Sequence, residues 1–203
     1  IIRDDDDKEI RRISGDELNR VTKQLSRLNE LINIAERRGT PFVKLLEMRA
    51  DDPEGKNRLP RFRVVWLNNE VVCWNEEDAR KVVGENGLLL DDLTVEESNG
   101  NAARIAALRE LHENREIDAV IDTLQTFEID IKDYFLTQQE TVSGELLITK
   151  YAWIVDSSND KQETVNVPNI QDILESLRQI GRRGIEIKRF KGLGEMNPEE
   201  LWD

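Results

Sequence analysis

The sequence is poor in the residues that most often carry chemistry. It has one cysteine, Cys73, and one histidine, His112, among 203 residues. A single cysteine cannot form an internal disulfide, which is typical of a protein from a reducing, cytoplasmic compartment. The histidine has no Ser or Cys nucleophile near it on its predicted helix, so no catalytic pair is indicated. We therefore expect both residues to be structural, and no residue of the chain is predicted to be catalytic.

Long apolar runs are also absent. No run is long enough to cross a bilayer, and the first residues lack the apolar core of a secretory signal, which favours a cytoplasmic protein without a membrane partner. The chain begins at Ile1 without a methionine and stops at Asp203, directly after the helix-start pattern Asn197-Pro198-Glu199-Glu200. Because natural chains seldom end one turn into a helix, we expect a piece of a longer polypeptide.

Neither an ATP site nor a metal site is predicted. Residues 191–194 lack the Gly-Lys-Ser or Gly-Lys-Thr that completes a phosphate-binding loop. The acidic run at residues 4–7 could hold a divalent cation or be an engineered protease site. Consecutive carboxylates in a hairpin point to alternating sides, whereas a cation needs oxygens arranged around one point. This geometry favours a solvated loop, and we expect no cofactor to bind this chain.

Positive charge is confined to one part of the chain. The net charge is −13, which by itself argues against contact with nucleic acid. Residues 178–194 nevertheless carry a local charge of about +5. Their basic residues are Arg178, Arg182, Arg183, Lys188, Arg189 and Lys191. Such a basic island indicates either one surface that contacts an anion or a solvated helix end followed by an edge strand.

The first long helix is predicted from a stripe of apolar residues. Ser14 and Glu17 form a capping-box pattern, and apolar residues then recur at alternating steps of three and four from Leu18 to Ala35. Residues 37–41 end the helix with last-turn cations, a glycine and a proline. The stripe is shorter than three heptads. We therefore expect it to pack on its own domain rather than to form a seam for a partner.

Hairpins and helices alternate along the rest of the chain, which predicts an α+β fold. The predicted elements are a helix at 42–48, a hairpin of 61–67 and 70–74 turning at Asn68-Asn69, a helix from Asn75 to Gly84 or Gly87, a helix from 101 to about 124, a segment at 127–136 that fits either a strand or a helix, a hairpin of 146–155 and 163–167, a helix capped by Asn169, and a strand at 185–190. The two hairpin–helix units suggest an internal repeat.

The end of the chain carries a specific motif. Lys191-Gly192-Leu193-Gly194-Glu195-Met196-Asn197-Pro198-Glu199-Glu200-Leu201-Trp202 resembles the signature near the end of the TOPRIM domain in the B subunits of type IIA DNA topoisomerases. Leu201-Trp202 is more similar to the DNA gyrase branch of this family than to topoisomerase IV, which is the alternative. The resemblance divides the chain into a TOPRIM-proximal hairpin segment (residues 1–13), an insert domain (14–165) and the C-terminal part of the TOPRIM domain (166–203).

The resemblance also implies where the chemistry lies. In this family a tyrosine of the other subunit cleaves DNA, and magnesium is held by the glutamate of a Glu-Gly-Asp-Ser-Ala motif and by an Asp-x-Asp pair. Neither motif occurs in these residues. The chain is therefore expected to be non-catalytic, whereas the full-length subunit would bind magnesium and ATP elsewhere.

The family's role implies the partners and the site residues. The expected role is support of ATP-dependent supercoiling, by positioning DNA and subunits at the cleavage gate. Expected partners are double-stranded DNA, a gyrase A subunit and a second B subunit in a heterotetramer. Gly192 and Gly194 would shape a tight turn. The candidate DNA-binding residues are Arg182, Arg183, Lys188, Arg189 and Lys191.

Other interpretations stay open. The insert could act as a protein-interaction module, which its acidity favours, or as a DNA-binding module that uses the basic island. A free-standing protein that borrowed the motif is the third possibility.

Overall fold

A computed structural model of the chain describes residues 1–4, 6–90, 105–140, 142–156 and 162–183. Helices and strands are mixed in these ranges, which confirms the predicted α+β class. The helices are α1 (Gly15–Arg37), α2 (Phe42–Ala50), α3 (Glu76–Glu85), α4 (His112–Gln125), α5 (Gln171–Arg183) and a 3-10 helix at Ile131–Phe135. The strands are β1 (Ile2–Arg3), β2 (Glu9–Arg11), β3 (Phe62–Trp66), β4 (Asn69–Cys73), β5 (Leu89–Leu90), β6 (Ile105–Glu110), β7 (Tyr151–Asp156) and β8 (Gln162–Val167).

The described strands form two four-stranded sheets. The first sheet has the order β2-β1-β7-β8 and is antiparallel throughout. It joins the beginning of the chain to its last third, because Ile2 pairs with Tyr151. The second sheet has the order β4-β3-β6-β5, in which only the β5–β6 pair is parallel. Each predicted hairpin is therefore present, and each contributes its first strand to the inside of a sheet.

The apolar stripe of α1 lies in the larger of two hydrophobic cores. Val21, Leu25 and Leu28 are buried there, together with residues of α4, the 3-10 helix, the first sheet and α5. The prediction that the stripe packs on its own domain is confirmed. The capping-box prediction is wrong: the Ser14 side chain makes no capping hydrogen bond. The Glu17 carboxylate instead forms an ion pair with the Arg11 guanidinium at 3.1 Å, and this pair links α1 to β2.

The smaller core lies between α3 and the second sheet. Val64 of β3, Ala79 of α3 and Ala106 of β6 are fully buried in it. Cys73 is buried beside them, and this burial raises the pKa of its thiol. The residue therefore packs as a small apolar side chain, as the sequence suggested.

The predicted helix at 101–124 is wrong in its first half. Residues 105–110 form β6, and α4 begins only at His112. The alanines favour a helix by intrinsic propensity. Pairing with β3 on one side and β5 on the other overrides that preference and buries Ala106. Residues 101–104 lie outside the described part of the chain.

Two further local predictions are wrong, and one open alternative is decided. Leu67, rather than either asparagine, has the positive φ (+47°) in the β3–β4 turn, because Trp66 pairs with Asn69. The segment at 127–136, for which a strand and a helix were both open, contains the 3-10 helix, and the Asp130 side chain accepts a hydrogen bond from the Lys132 N–H at its start. β7 begins at Tyr151 rather than at residue 146, and Leu146 makes only an isolated bridge to Glu140.

Candidate nucleic-acid interface

Helix α5 leads into the basic island, and its start is fixed by Asn169. The Asn169 side-chain oxygen accepts a hydrogen bond from the Asp172 N–H at 2.9 Å, which is the predicted cap. Its side-chain nitrogen donates to the Leu136 carbonyl at 3.1 Å. One residue thus satisfies a free N–H of the helix and attaches the helix to the segment after the 3-10 helix.

The inner face of α5 packs on the larger core. Ile173 and Leu174 are buried, as is Ile170 just before the helix. The Trp153 indole N–H of β7 donates to the Ser176 hydroxyl at 2.8 Å, and that hydroxyl donates to the Ile173 carbonyl. Apolar contact and this hydrogen bond together hold α5 in one orientation against the first sheet.

The outer face of α5 carries the charges. Arg178 is exposed and pairs with Glu175 at 3.3 Å. Arg182 is exposed in the last turn and has no ion-pair partner among the described residues. A cation in that position interacts favourably with the negative end of the helix dipole, and it is open to an external anion.

Most of the predicted interface lies beyond this point. Arg183 ends α5. The other candidate residues, Lys188, Arg189, Lys191, Gly192 and Gly194, lie outside the described residues. The structure therefore brings Arg182 and Arg183 to the end of one anchored helix, and the DNA-binding role of all five basic residues stays a prediction.

The acidic run near the start of the chain has a structural role. One oxygen of Asp4 accepts hydrogen bonds from the Asp6 N–H at 3.0 Å and the Lys8 N–H at 2.9 Å. The carboxylate thereby stabilises the turn between β1 and β2. No group of His, Cys, Asp or Glu side chains in the described part of the chain is arranged to hold a metal ion.

The one histidine of the chain, His112, is the first residue of α4. The His112 side chain is exposed at the start of α4, with its Nδ1 3.4 Å from a Glu110 oxygen. It is a surface residue.

In the ranges that the structure describes, no helix is long and apolar enough to cross a membrane.

The sequence analysis missed a buried charged cluster around Asp118. This carboxylate accepts hydrogen bonds from Leu59 N–H at 3.0 Å, from Arg61 at 3.0 Å and from Arg49 at 3.3 Å. Burial raises the pKa of Asp118, while the Leu59 N–H and the two guanidinium groups oppose that rise. A signal was present, because Asp118 follows Ile117 on the buried face of α4, where most of the other residues are apolar. The cluster joins α4, α2 and the segment before β3, which is a structural role.

The match to a known family model lies at the same end of the chain. Residues 182–203 match the family model described as the carboxyl terminus of the DNA gyrase B subunit. The chain is 31% identical over 75 residues to the DNA gyrase B subunit of Chlamydia pneumoniae, a match that covers 37% of this chain and 9% of that protein. It is 49% identical over 39 residues to the DNA gyrase B subunit of Myxococcus xanthus, covering 19% of this chain and 5% of that protein.

A longer match is found with the DNA gyrase B subunit of Campylobacter jejuni, at 34% identity over 84 residues, 37% of this chain and 11% of that protein. No solved structure matches. The chain thus spans about a tenth or less of the length of these relatives. The family match begins at Arg182, where α5 presents the first candidate residue, and it includes the whole motif from Lys191 to Trp202. The chain is therefore similar to the B subunits of DNA gyrase over a small part of their length.

Proposed function

We propose that this chain forms part of the B subunit of a type IIA DNA topoisomerase, where it helps to position duplex DNA at the cleavage gate during ATP-driven supercoiling. The observation that carries the proposal is the overlap of the gyrase B match with the basic segment that begins at Arg182. Helix α5, fixed by Asn169 and Ser176, supports the start of that segment. The gyrase A subunit and a second B subunit complete the assembly, and magnesium and ATP are bound by other parts of the full-length subunit.

The basic residues act on DNA through charge rather than sequence. Lysine and arginine side chains contact phosphate oxygens and release condensed counterions, which gives affinity without reading bases. Arg182, Arg183, Lys188, Arg189 and Lys191 have this role, and Gly192 and Gly194 shape the turn after Lys191. The acidic remainder of the chain disfavours DNA contact elsewhere, so it concentrates the contact at this segment.

The two ends of the proposed insert support its attachment to a TOPRIM domain. An inserted domain leaves and re-enters its host at neighbouring points. β1 lies in residues 1–13 and pairs with β7 near the end of residues 14–165, and the Ile1 amino group donates to the Ala152 carbonyl at 2.7 Å. Because β1 and β7 lie in one sheet, we assign the β7–β8 hairpin to the same domain as residues 1–13. The insert then ends before β7.

The proposal is tested by Lys191→Ala in the full-length B subunit, assembled with its A subunit. We expect DNA cleavage and supercoiling to fall roughly several-fold, because one phosphate contact beside the gate is lost. Lys81→Ala is the matched control, since Lys81 lies on α3 and its ion-pair partners are Glu77 and Asp78. Cleavage that is equal in wild type and the Lys191 variant would refute the assigned role.

A protein-interaction role for residues 14–165 is the second candidate. Their acidity and a group of exposed apolar side chains before β7 favour it. An electrophoretic mobility shift of the 203-residue chain with duplex DNA separates this role from a DNA-binding one. Salt-sensitive binding that depends on residues 14–165 would favour the DNA-binding role.

A further inference from the structure

Exposed apolar side chains are concentrated in the segment between the 3-10 helix and β7. We call residues 135–149 the arm; residue 141 lies outside the described residues. Six of its large apolar side chains are each at least 40% exposed: Phe135, Leu136, Val142, Leu146, Leu147 and Ile148. Single exposed apolar residues are ordinary, but a contiguous group on a soluble protein marks a surface that binds something.

The arm also contains a strand-forming run that joins neither sheet. Leu146, Leu147 and Ile148 fit a β-strand by composition, yet β7 begins only at Tyr151. The run is held by an isolated bridge to Glu140 and by a hydrogen bond from the Leu147 N–H to the Gln139 carbonyl at 2.8 Å. The backbone N–H and C=O of Ile148 make no hydrogen bond to a described residue. An unpaired edge with apolar side chains is the arrangement to which an extended chain adds as a strand.

A groove of about 410 Å³ runs between the arm and the β1–β2 turn. Its walls include Leu147 and Ile148 on the arm and Asp4 and Asp7 on the turn. Lys150 is the only cation among its described lining residues, and its Nζ lies 2.6 Å from the Asp133 carboxylate. That ion pair neutralises Lys150, whereas Asp4 and Asp7 have no ion-pair partner in the described part of the chain. The groove therefore combines apolar side chains of the arm with polar groups and a net negative charge.

We propose that the arm and this groove bind an extended protein segment in which apolar residues alternate with lysine or arginine. The segment adds along the edge at Ile148, packs its apolar side chains on Leu146 and Ile148, which lie on one side of the extended run, and directs its cations to Asp4 and Asp7. Alternation is required because successive side chains of a strand point to opposite sides. The negative groove repels nucleic acid and favours this basic occupant over a second copy of the acidic chain.

The probe is a fluorescein-labelled, acetylated peptide of four Val-Lys repeats, titrated with the whole 203-residue chain and followed by fluorescence anisotropy. We expect saturable one-to-one binding that weakens as salt is added. Peptides of Val-Glu and Ser-Lys repeats should each bind at least about tenfold more weakly, since the first lacks the cations and the second lacks the apolar side chains. Hydrogen exchange of the amides at residues 146–149 should slow only with the Val-Lys peptide.

Two variants assign the binding to the groove. Leu146→Ser combined with Ile148→Ser should weaken binding at least about tenfold and leave the circular dichroism spectrum unchanged, because both side chains are already exposed. Asp4→Asn combined with Asp7→Asn should weaken binding and flatten its salt dependence. Asparagine keeps the Asp4 turn acceptor and tolerates the positive φ of Asp7 (+60°). Glu47→Gln with Asp51→Asn, two exposed carboxylates outside the groove, is the matched control and should change nothing.

Three results would overturn the proposal. Equal binding of the Val-Lys and Ser-Lys peptides would show that charge alone attracts the probe. Undiminished binding to the Leu146/Ile148 variant would place the site elsewhere. A doubled mass in light scattering, lost in that same variant, would assign the surface to a second copy of the chain. None of these outcomes depends on contact between Lys191 and DNA, so this surface and the topoisomerase role fail or stand separately.

Discussion

The two cores of this protein differ in size and in what depends on them. Among the described residues, 23 buried apolar residues form the core around α1, α4, the first sheet and α5, and six form the core between α3 and the second sheet. Because stability follows buried apolar surface, the first region can lose one contact and keep its fold, while the second depends on a few side chains such as Val64 and Ala79. Helix α5, which leads into the proposed DNA contact, belongs to the region with the larger core.

Polar contacts join the two regions. Asp118 of α4 binds Arg61 and the Leu59 N–H in the segment that enters β3, and the Leu111 N–H donates to the Arg61 carbonyl at 2.7 Å. The Asn114 side chain donates to the Pro60 carbonyl at 2.9 Å. A few directional bonds therefore couple a large core to a small one, and their removal is the sharpest way to separate the two.

The largest effect is expected from Asp118→Ala. Its removal leaves Arg61 without a carboxylate and Arg49 with only the more distant Asp122, at 3.8 Å; because both arginines are mostly buried, the free energy of unfolding should fall by about 4 kcal/mol. Urea denaturation measures this, and two transitions in place of one would show that the regions have uncoupled. Asp122→Ala is the control: Asp122 is about half exposed and pairs with the partly exposed Arg58 at 2.6 Å and more distantly with Arg49 at 3.8 Å, so its loss should cost under about 1 kcal/mol. Equal losses in the two variants would contradict the linking role of Asp118.

A matched pair of core truncations compares the regions directly. Leu28→Ala in the larger core should cost about 3 kcal/mol, and Val64→Ala in the smaller core about 2 kcal/mol. Native-state hydrogen exchange distinguishes them. Val64→Ala should accelerate exchange in β3, β4 and β6 while α1 and α4 stay protected, whereas Leu28→Ala should lower protection in both regions. Uniform acceleration by Val64→Ala would show that the chain unfolds as one unit.

A smaller, pH-dependent effect is expected in the loop that connects α2 with β3. Burial by itself would raise the pKa of the Asp52 carboxyl, but hydrogen bonds from the N–H groups of Arg58, Glu54 and Lys56 outweigh it, and the pKa lies below its ordinary value. A lowered folded-state pKa gives stability that is present above the unfolded value and is lost as the pH falls through the folded value.

Asp52→Asn should therefore cost about 1.5 kcal/mol at pH 6, because the amide nitrogen cannot accept the hydrogen bonds. The gap between wild type and variant should begin to narrow below about pH 4, the unfolded value, and should close as the pH falls through the lower folded value. Thermal unfolding between pH 2 and pH 6 checks it. A gap that stays constant over this range would mean that the Asp52 charge is irrelevant to the loop.

Local patterns in the sequence predicted the elements better than their arrangement. The stripe of α1, both hairpins and the Asn169 cap were predicted, since each depends on residues close together in the chain. The pairing of Ile2 with Tyr151 carries no local signal. β6 was missed because its alanines favour a helix until β3 and β5 flank them.

The candidate interface was also predictable only where its features depend on residues close together in the chain. The basic island and the gyrase-like motif were visible in sequence, and the family match at residues 182–203 confirms the resemblance. The support of the island by Trp153 and Ser176 was not visible, because it joins β7 to α5 across 23 positions. The exposed arm was hidden too, since the run at residues 146–148 looks like an ordinary continuation of β7.

The salt dependence of duplex DNA binding tests most directly the claim that the C-terminal basic segment contacts phosphate. It is measured on the full-length B subunit assembled with its A subunit, as the slope of log K against log salt concentration. We expect Lys191→Ala to reduce the magnitude of that slope by about 1, the loss of one neutralised phosphate, and Lys81→Ala to leave it unchanged. Identical slopes for wild type and both variants would contradict the claim.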